Sequence, residues 1–229
     1  MKPAIAIFVK TPGHSPIKTR LAATVGRAFA EQWHAQAAEA VAAVVREACR
    51  ANAASAYWAV AEADALADPR WDGLPVLGQG EGGLGARMHA VHRALVERHG
   101  AGILLGADAP QIDPAVLREA LVWLDEPQPR SVMGRAADGG FWLFGSNRAH
   151  PLGLWESIPY SVPDTADRFR AAPGDWGAWL ELLVLSDVDT AGDLAACHAA
   201  LTTLPAPLPA QSALRAWMDA QVADAILGA

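Results

Sequence analysis

The stretch Ala4-Ile5-Ala6-Ile7-Phe8-Val9-Lys10-Thr11-Pro12-Gly13 decides the architecture. Its unbroken apolar run, closed by a cation, a proline and a glycine, reads as a strand buried on both faces. That is the pattern of an interior strand in a parallel sheet; a strand wet on one face would alternate. The pattern recurs along the chain. Residues 53–60 and the brief 75–77 read as further strands, and Ile103-Leu104-Leu105-Gly106-Ala107 is another buried one, closed by Asp108-Ala109-Pro110. Residues 131–133 and 141–144 are strand-like and flank Asp138-Gly139-Gly140, and residues 182–185 are expected to form a last buried strand. Helical patterns lie between them: an Ala-rich one over about 27–50, one over about 84–99, one opened by Asp113-Pro114, and one after residues 186–190. An Asp N-cap followed by Pro at the first helical position is a helix start. Strands alternating with helices imply a three-layer α/β/α fold with a mainly parallel central sheet.

The expected organisation is a single domain over residues 1–229. Its core covers about 1–201, followed by a proline-rich linker over about 202–209 and a C-terminal helical appendage over about 210–229. The 229 residues are 52% hydrophobic and 19% charged, which suits a packed core and argues against disorder. Net charge is −7 with no dense basic stripe, and duplex binding needs cations to neutralise phosphates, so nucleic acid is not an expected partner. Cys49 and Cys197 lie far apart in helical patterns and read as buried, reduced thiols. No apolar run approaches the roughly 20 residues of a membrane span, and the expected location is the cytoplasm. The oligomeric state is not readable from the sequence.

Ligands of open α/β sheets bind beyond the carboxyl ends of the strands, so the segments following the strands carry the candidate chemistry. The chain's three lysines are Lys2, Lys10 and Lys18; two of them fall after the first strand, with Gly13, Thr19 and Arg20. Such a loop offers point charges, exposed amides and a guanidinium fork to phosphate oxygens. Asp108 follows a buried strand, where a carboxylate is costly unless it is paired or holds a cation. Asp187 and Asp189 arise in the same way after 182–185. Mg²⁺ takes one or two protein carboxylates plus substrate phosphates, so Asp108 with Asp189 would hold Mg²⁺ or Mn²⁺ if their strands are neighbours. Helix N-capping is the other reading of both aspartates. Asp138-Gly139-Gly140 is first a turn signal; functionally, its glycines would let backbone approach an acceptor while the carboxylate accepts a proton.

Gly78, Gly80 and Gly83 satisfy G-x-G-x-x-G, the formal fingerprint of a dinucleotide site. The preceding strand is barely three residues long, and no acidic residue lies about 20 positions on, so an NAD-linked oxidoreductase is the weaker alternative. His89 and His92 are spaced to share one helix face, and read as part of a polar face rather than as zinc ligands. Trp142, Trp155, Trp176 and Trp179 read as core, with one or two lining an acceptor pocket.

Taken in order, these motifs resemble the DUF2064 family of GT-A-like transferases. The resemblance rests on residues 7–13 with 17–21, Gly83-Leu84-Gly85-Ala86-Arg87-Met88, Gly106-Ala107-Asp108-Ala109-Pro110, residues 134–143 and residues 187–194. It implies the nucleotide-diphospho-sugar transferase (GT-A) fold; the opening and closing motifs are also similar to those of phospholactate guanylyltransferases. By this likeness Lys18 and Arg20 hold phosphates, Asp108 and Asp189 hold the metal, and Asp138-Gly139-Gly140 faces the acceptor. Gly83 and Ala86 stand where the family usually has acidic residues, Arg135 replaces a usual proline, and Tyr160 replaces a common tryptophan, which implies a re-tuned acceptor side.

The expectation is therefore a metal-dependent transferase using a nucleotide-sugar or nucleoside triphosphate donor and a small-molecule acceptor, with glycosyl transfer favoured. Asp138 and Lys18 are the candidate catalytic residues. Lys10, Gly13, Lys18, Thr19, Arg20, Gly83, Arg87, Gly139 and Gly140 are the candidate binding residues. Guanylyltransferase-like nucleotidyl transfer, or a nucleotide-binding module without turnover, is the alternative.

Overall fold

The computed structural model describes residues 2–227. In chain order the elements are β1 (Ala4–Val9), α1 (Thr19–Val25), α2 (Arg27–Asn52), β2 (Ser55–Val60), β3 (Val76–Gly78), α3 (Leu84–His99), β4 (Gly102–Gly106) and α4 (Pro114–Leu124). They continue with β5 (Arg130–Arg135), β6 (Phe141–Ser146), α5 (Leu152–Ser157), α6 (Thr165–Ala171), β7 (Ala178–Glu181), α7 (Ala191–Thr203) and α8 (Pro209–Leu227). Among the described residues seven strands form one sheet in the order β3-β2-β1-β4-β6-β5-β7. β6 runs antiparallel to β4 and β5, while the other pairings are parallel. The mainly parallel α/β/α architecture read from the sequence is the one observed.

β1 shows why the apolar run is continuous. Ile5, Ile7 and Val9 enter the core beneath α2 and α4, whereas Ala4 and Ala6 enter the core on the opposite face with Met88, Val91 and Leu95 of α3. β4 divides in the same way, Ile103 and Leu105 on one side and Leu104 on the other. A strand covered on both faces has no solvent side to mark with polar residues. A third cluster joins Leu21, Trp33, Val188, Cys197, Leu214 and Met218, so α7 and α8 pack on α1 and α2. The linker between the last two helices is short, residues 204–208, and residues 228–229 of the expected appendage lie outside the described residues. Both cysteines are buried and free. No helix among the described residues is long and apolar enough to cross a membrane.

Two expectations are corrected. The last strand is not 182–185 but β7, four residues earlier. β7 is an edge strand paired only with β5, and beyond it Leu183 and Val184 are 49% and 59% exposed; Leu185 makes a single bridge to Ala136. An apolar run past the edge of a sheet has no second neighbour to bury it. His92 does not sit on a polar face. It is buried against Phe144 and Trp155, with its Nε2 at 3.2 Å from the Ser146 hydroxyl.

Candidate active site

The carboxyl ends of β1, β4, β5 and β7 open on one edge of the sheet, and β6 starts there. The segments after these strands surround a cleft of about 740 Å³. Lys10, Lys18, Thr19, Arg20, Arg87, Asp108, Asp138, Gly140 and Asp189 all line it. Gly13, Gly83 and Gly139 do not. Gly83 precedes α3 as its N-cap, and Gly13 is exposed in the β1–α1 loop. Gly139 has φ 91° and its backbone lies against Pro163; a Cβ there would stand 1.7 Å from the Pro163 carbonyl oxygen. It is the tight packing of this turn, held by the Ala166 amide donating to the Gly139 carbonyl at 3.0 Å, that requires glycine.

Asp108 leaves the end of β4 with its carboxylate turned back over the strand, since a Cβ on Gly106 would meet its Oδ1 at 2.7 Å. The Val188 amide donates to the Asp108 carbonyl at 3.3 Å, and the Leu185 amide donates to Arg135 at 3.1 Å. These bonds draw the segment after β7 alongside β4 and β5 although β4 and β7 are not neighbours. One carboxylate oxygen from each of Asp108, Asp187 and Asp189 then falls within 4.8 Å of the others. Asp189 does not cap the following helix: Thr190 does, in a capping box with Asp193. Its carboxylate is left to face the cleft, and Asp108 likewise begins no helix. The N-capping alternative therefore fails for both.

Lys18 reaches into this cluster. Its Nζ donates to Asp108 Oδ2 at 2.7 Å and to Asp189 Oδ1 at 2.8 Å, and the side chain is 9% exposed. Arg20 pairs with the other oxygen of Asp189 and is largely exposed. Burial works to lower the Lys18 pKa, but the charges of Asp108 and Asp189 outweigh it and hold the ammonium above its usual range. Burial likewise works to raise Asp108, and Lys18 overrides it to hold the carboxyl below the usual range. Asp187 lacks such a partner. Burial first, then the negative charges of Asp108, Asp189 and Asp138, push it up to about 6.

The reading of the sequence named Asp187 but left it out of the metal pair, and it missed His34. Asp187 belongs to the carboxylate cluster beside Asp108 and Asp189; the signal was its place in Ser186-Asp187-Val188-Asp189, where alternation turns both aspartates away from buried Val188. His34 lines the cleft from α2, and its Nε2 lies 3.1 Å from the Lys10 carbonyl. It interrupts the buried face of α2 that continues with Ala37, Ala38 and Val41, and a polar residue on that face was the available clue. Burial pushes its pKa down, with Asp108 acting against it.

The far side of the cleft is more apolar, with Leu84, Met88, Phe141 and Trp142, together with Tyr160. Trp155 and Trp176 belong to one core cluster, with Trp179 packed against it, and Trp142 is buried in the other while also lining the cleft. Tyr160 donates its hydroxyl to the Trp155 carbonyl at 2.9 Å. Arg135 does not line the cleft; its guanidinium pairs with Asp167 at 2.7 Å and with Glu181 at 3.6 Å. Arg87 bonds the Gly82 carbonyl through Nε at 3.0 Å.

The site can do two things chemically: carboxylates from two segments can share a divalent cation, and Lys18, Arg20 and Arg87 can meet anionic oxygens. Residues 36–162 match the family model described as "Uncharacterized protein conserved in bacteria (DUF2064)". The matched span contains Asp108 and Asp138, while Lys18, Asp187 and Asp189 flank it. A crystal structure of a candidate nucleotide-diphospho-sugar transferase from Desulfovibrio desulfuricans G20 is similar at a TM-score of 0.76 and 24% identity, covering 95% of each chain. CMP:2-keto-3-deoxy-manno-octonic acid synthetase, complexed with CTP, is similar at 0.55 and 15% identity, over 88% of this chain and 99% of the other. Rv0371c from Mycobacterium tuberculosis H37Rv, in complex with manganese, is similar at 0.50 and 16% identity, over 86% and 98%. At these identities the likeness is one of fold, the nucleotide-diphospho-sugar transferase fold. No match is found among curated proteins.

Proposed function

We propose that this chain, which belongs to the DUF2064 family, is a metal-dependent transferase whose donor is a nucleotide-sugar or a nucleoside triphosphate. The observation that carries the reading is the meeting of Asp108, Asp187 and Asp189 with Lys18 in one cleft. These residues fit a divalent cation. Their oxygens converge from two segments, an ammonium already stands between two of them, and burial, then like charge, raises the third. Oxygen-only ligation suits Mg²⁺ or Mn²⁺. Asp108 and Asp189 would hold the cation, which would supply charge stabilisation to a diphosphate leaving group.

The chain's own groups do the rest. Lys18, Arg20 and Arg87 neutralise phosphate oxygens, as reactions with a diphosphate leaving group require positioning and charge stabilisation above all. Lys10 and Thr19 border the same oxygens. The acceptor lies against Leu84, Met88, Phe141 and Trp142, which offer it an apolar wall. Asp138, exposed at the mouth, orients the acceptor hydroxyl and accepts its proton; its Oδ1 takes the Gly140 amide at 2.9 Å, which fixes the carboxylate in the turn.

Glycosyl transfer would break the sugar–phosphate bond and release a nucleoside diphosphate. Nucleotidyl transfer, the reading favoured by the fold's likeness to a CTP-bound synthetase, would attack the α-phosphate and release pyrophosphate. Product analysis across donor and acceptor panels separates them. Replacing Asp108 by Ala is expected to abolish metal-dependent nucleotide binding, read by calorimetry; binding equal to that of the parent would refute the metal assignment.

A further inference from the structure

We infer that Lys18 is a built-in counter-ion of the carboxylate cluster: it competes with the divalent cation for Asp108 and Asp189, and yields when phosphates offer its ammonium another partner. Resting on the metal-and-nucleotide reading above, this makes cation and nucleotide binding synergistic.

The Lys18 Nζ lies 2.7 Å and 2.8 Å from the two carboxylates that would ligate the cation. These are distances of charge-assisted hydrogen bonds. A cation bonded to the same oxygens would stand within a few ångströms of an ammonium that is 9% exposed, with little water to screen the repulsion. The two positive groups exclude one another. Arg20 need not move, since its guanidinium approaches the outer oxygen of Asp189 and is 68% exposed.

The backbone at Lys18 stays fixed while the side chain swings. Lys18 has φ 44° and ψ 51°, a left-handed conformation that costs a non-glycine residue and persists where its surroundings impose it. The loop's start is fastened by four side chains: Gln79 to the Val9 carbonyl at 3.2 Å, His34 to Lys10 at 3.1 Å, Trp71 to the Thr11 hydroxyl at 3.1 Å, and Glu62 to the Thr11 amide at 2.9 Å. What remains mobile is a four-carbon stem ending in a point charge.

His34 braces the start of the loop from α2. It is 6% exposed and lines the cleft, and its Nδ1, itself shielded from solvent, has no partner among the described residues. The Lys10 carbonyl can only accept, so the ring proton sits on Nε2 and Nδ1 presents a lone pair.

Thermodynamic linkage then requires that cation and nucleotide raise each other's affinity by one common factor. The test uses the full chain with Lys18→Met, a second neutral variant Lys18→Gln, and Lys18→Arg, each checked for native circular dichroism. Binding of Mn²⁺ alone is read by electron paramagnetic resonance. Binding of the four nucleoside triphosphates and of UDP-, GDP-, ADP- and dTDP-sugars at saturating Mn²⁺ is read by equilibrium dialysis. The neutral variants are expected to bind Mn²⁺ at least tenfold more tightly than the parent and to bind the nucleotide at least tenfold more weakly. Lys18→Arg keeps the parent's weak Mn²⁺ affinity. A merely structural lysine would lower both affinities. Neutral variants with Mn²⁺ affinity no tighter than the parent's, while the parent still binds a nucleotide, overturn the counter-ion role alone; a parent that binds neither a triphosphate nor a UDP-, GDP-, ADP- or dTDP-sugar with Mn²⁺ overturns the underlying reading.

Discussion

Lys18 at φ 44° and Gly139 at φ 91° both hold left-handed backbone beside the cleft, for different reasons. Lys18 carries a side chain the site uses, so the loop bears the strain. Gly139 carries none because Pro163 occupies the space a Cβ would need. Gly139→Ala is therefore expected to destabilise the fold by more than about 2 kcal/mol, from strain and clash together. The shift of the urea midpoint reads this; a midpoint equal to the parent's would remove the Pro163 contact from the account. Single residues were unevenly legible in the sequence. Asp108 stands out because charge just after an apolar strand is conspicuous, Lys18 because two of the chain's three lysines fall in one loop, and Asp189 because it follows the apolar run 182–185. The packing of Gly139 against Pro163 was not legible, because a turn's partner 24 positions later leaves no local trace. The pairing of Lys18 with two carboxylates 90 and 171 residues away is likewise a tertiary fact.

At the scale of elements, α3 and β6 meet around buried imidazoles. Burial above all holds His92 down to about 3, helped by His150 and His89, and holds His150 down to about 4. Both rings are neutral in the folded chain, whereas histidines of the unfolded chain protonate near about 6.5. The unfolded state thus binds more protons between those values. Stability is expected to be fully present above about pH 6.5 and to be lost as pH falls toward about 3. Asp187, raised to about 6, acts in the opposite sense between about pH 6 and 4, and one carboxylate offsets only part of two imidazoles. Urea unfolding free energies at about pH 7.5 and about pH 5 check the sign; a value that holds level or rises on acidification would contradict it. α3 itself was readable to its ends, since Gly83 and Gly100 bracket its periodic pattern. The buried state of His92 was not, because a histidine at helical spacing reads the same on either face until Phe144 and Trp155 cover it. The misplacement of β7 has a related cause. The run 182–185 is more apolar than Ala178-Trp179-Leu180-Glu181, yet pairing with β5 rather than hydropathy selects the strand.

For the whole molecule, the sheet order sets the chemistry. β4 and β7 are separated by β6 and β5, so Asp108 and Asp189 converge only because the segment after β7 doubles back along the carboxyl edge to bond Arg135 and Asp108. α7, capped by Thr190 and packed with α8 on α2, anchors the far end of that segment. The net charge of −7 is compatible with an anionic donor because the cations needed are gathered at one site, Lys18, Arg20 and Arg87. The central claim is that this edge binds a nucleotide through a divalent cation on Asp108 and Asp189. The most direct measurement is the melting temperature of the chain and of its Asp108→Asn variant. It would be taken with nucleoside triphosphates and with UDP-, GDP-, ADP- and dTDP-sugars, each with and without Mn²⁺. Ligands that bind only the folded state raise the melting temperature. The expected result is a rise for the parent with at least one of these ligands, dependent on Mn²⁺ and absent in the variant. A rise that ignores both Mn²⁺ and the substitution, or one seen with NAD(P)(H) alone, would contradict the account.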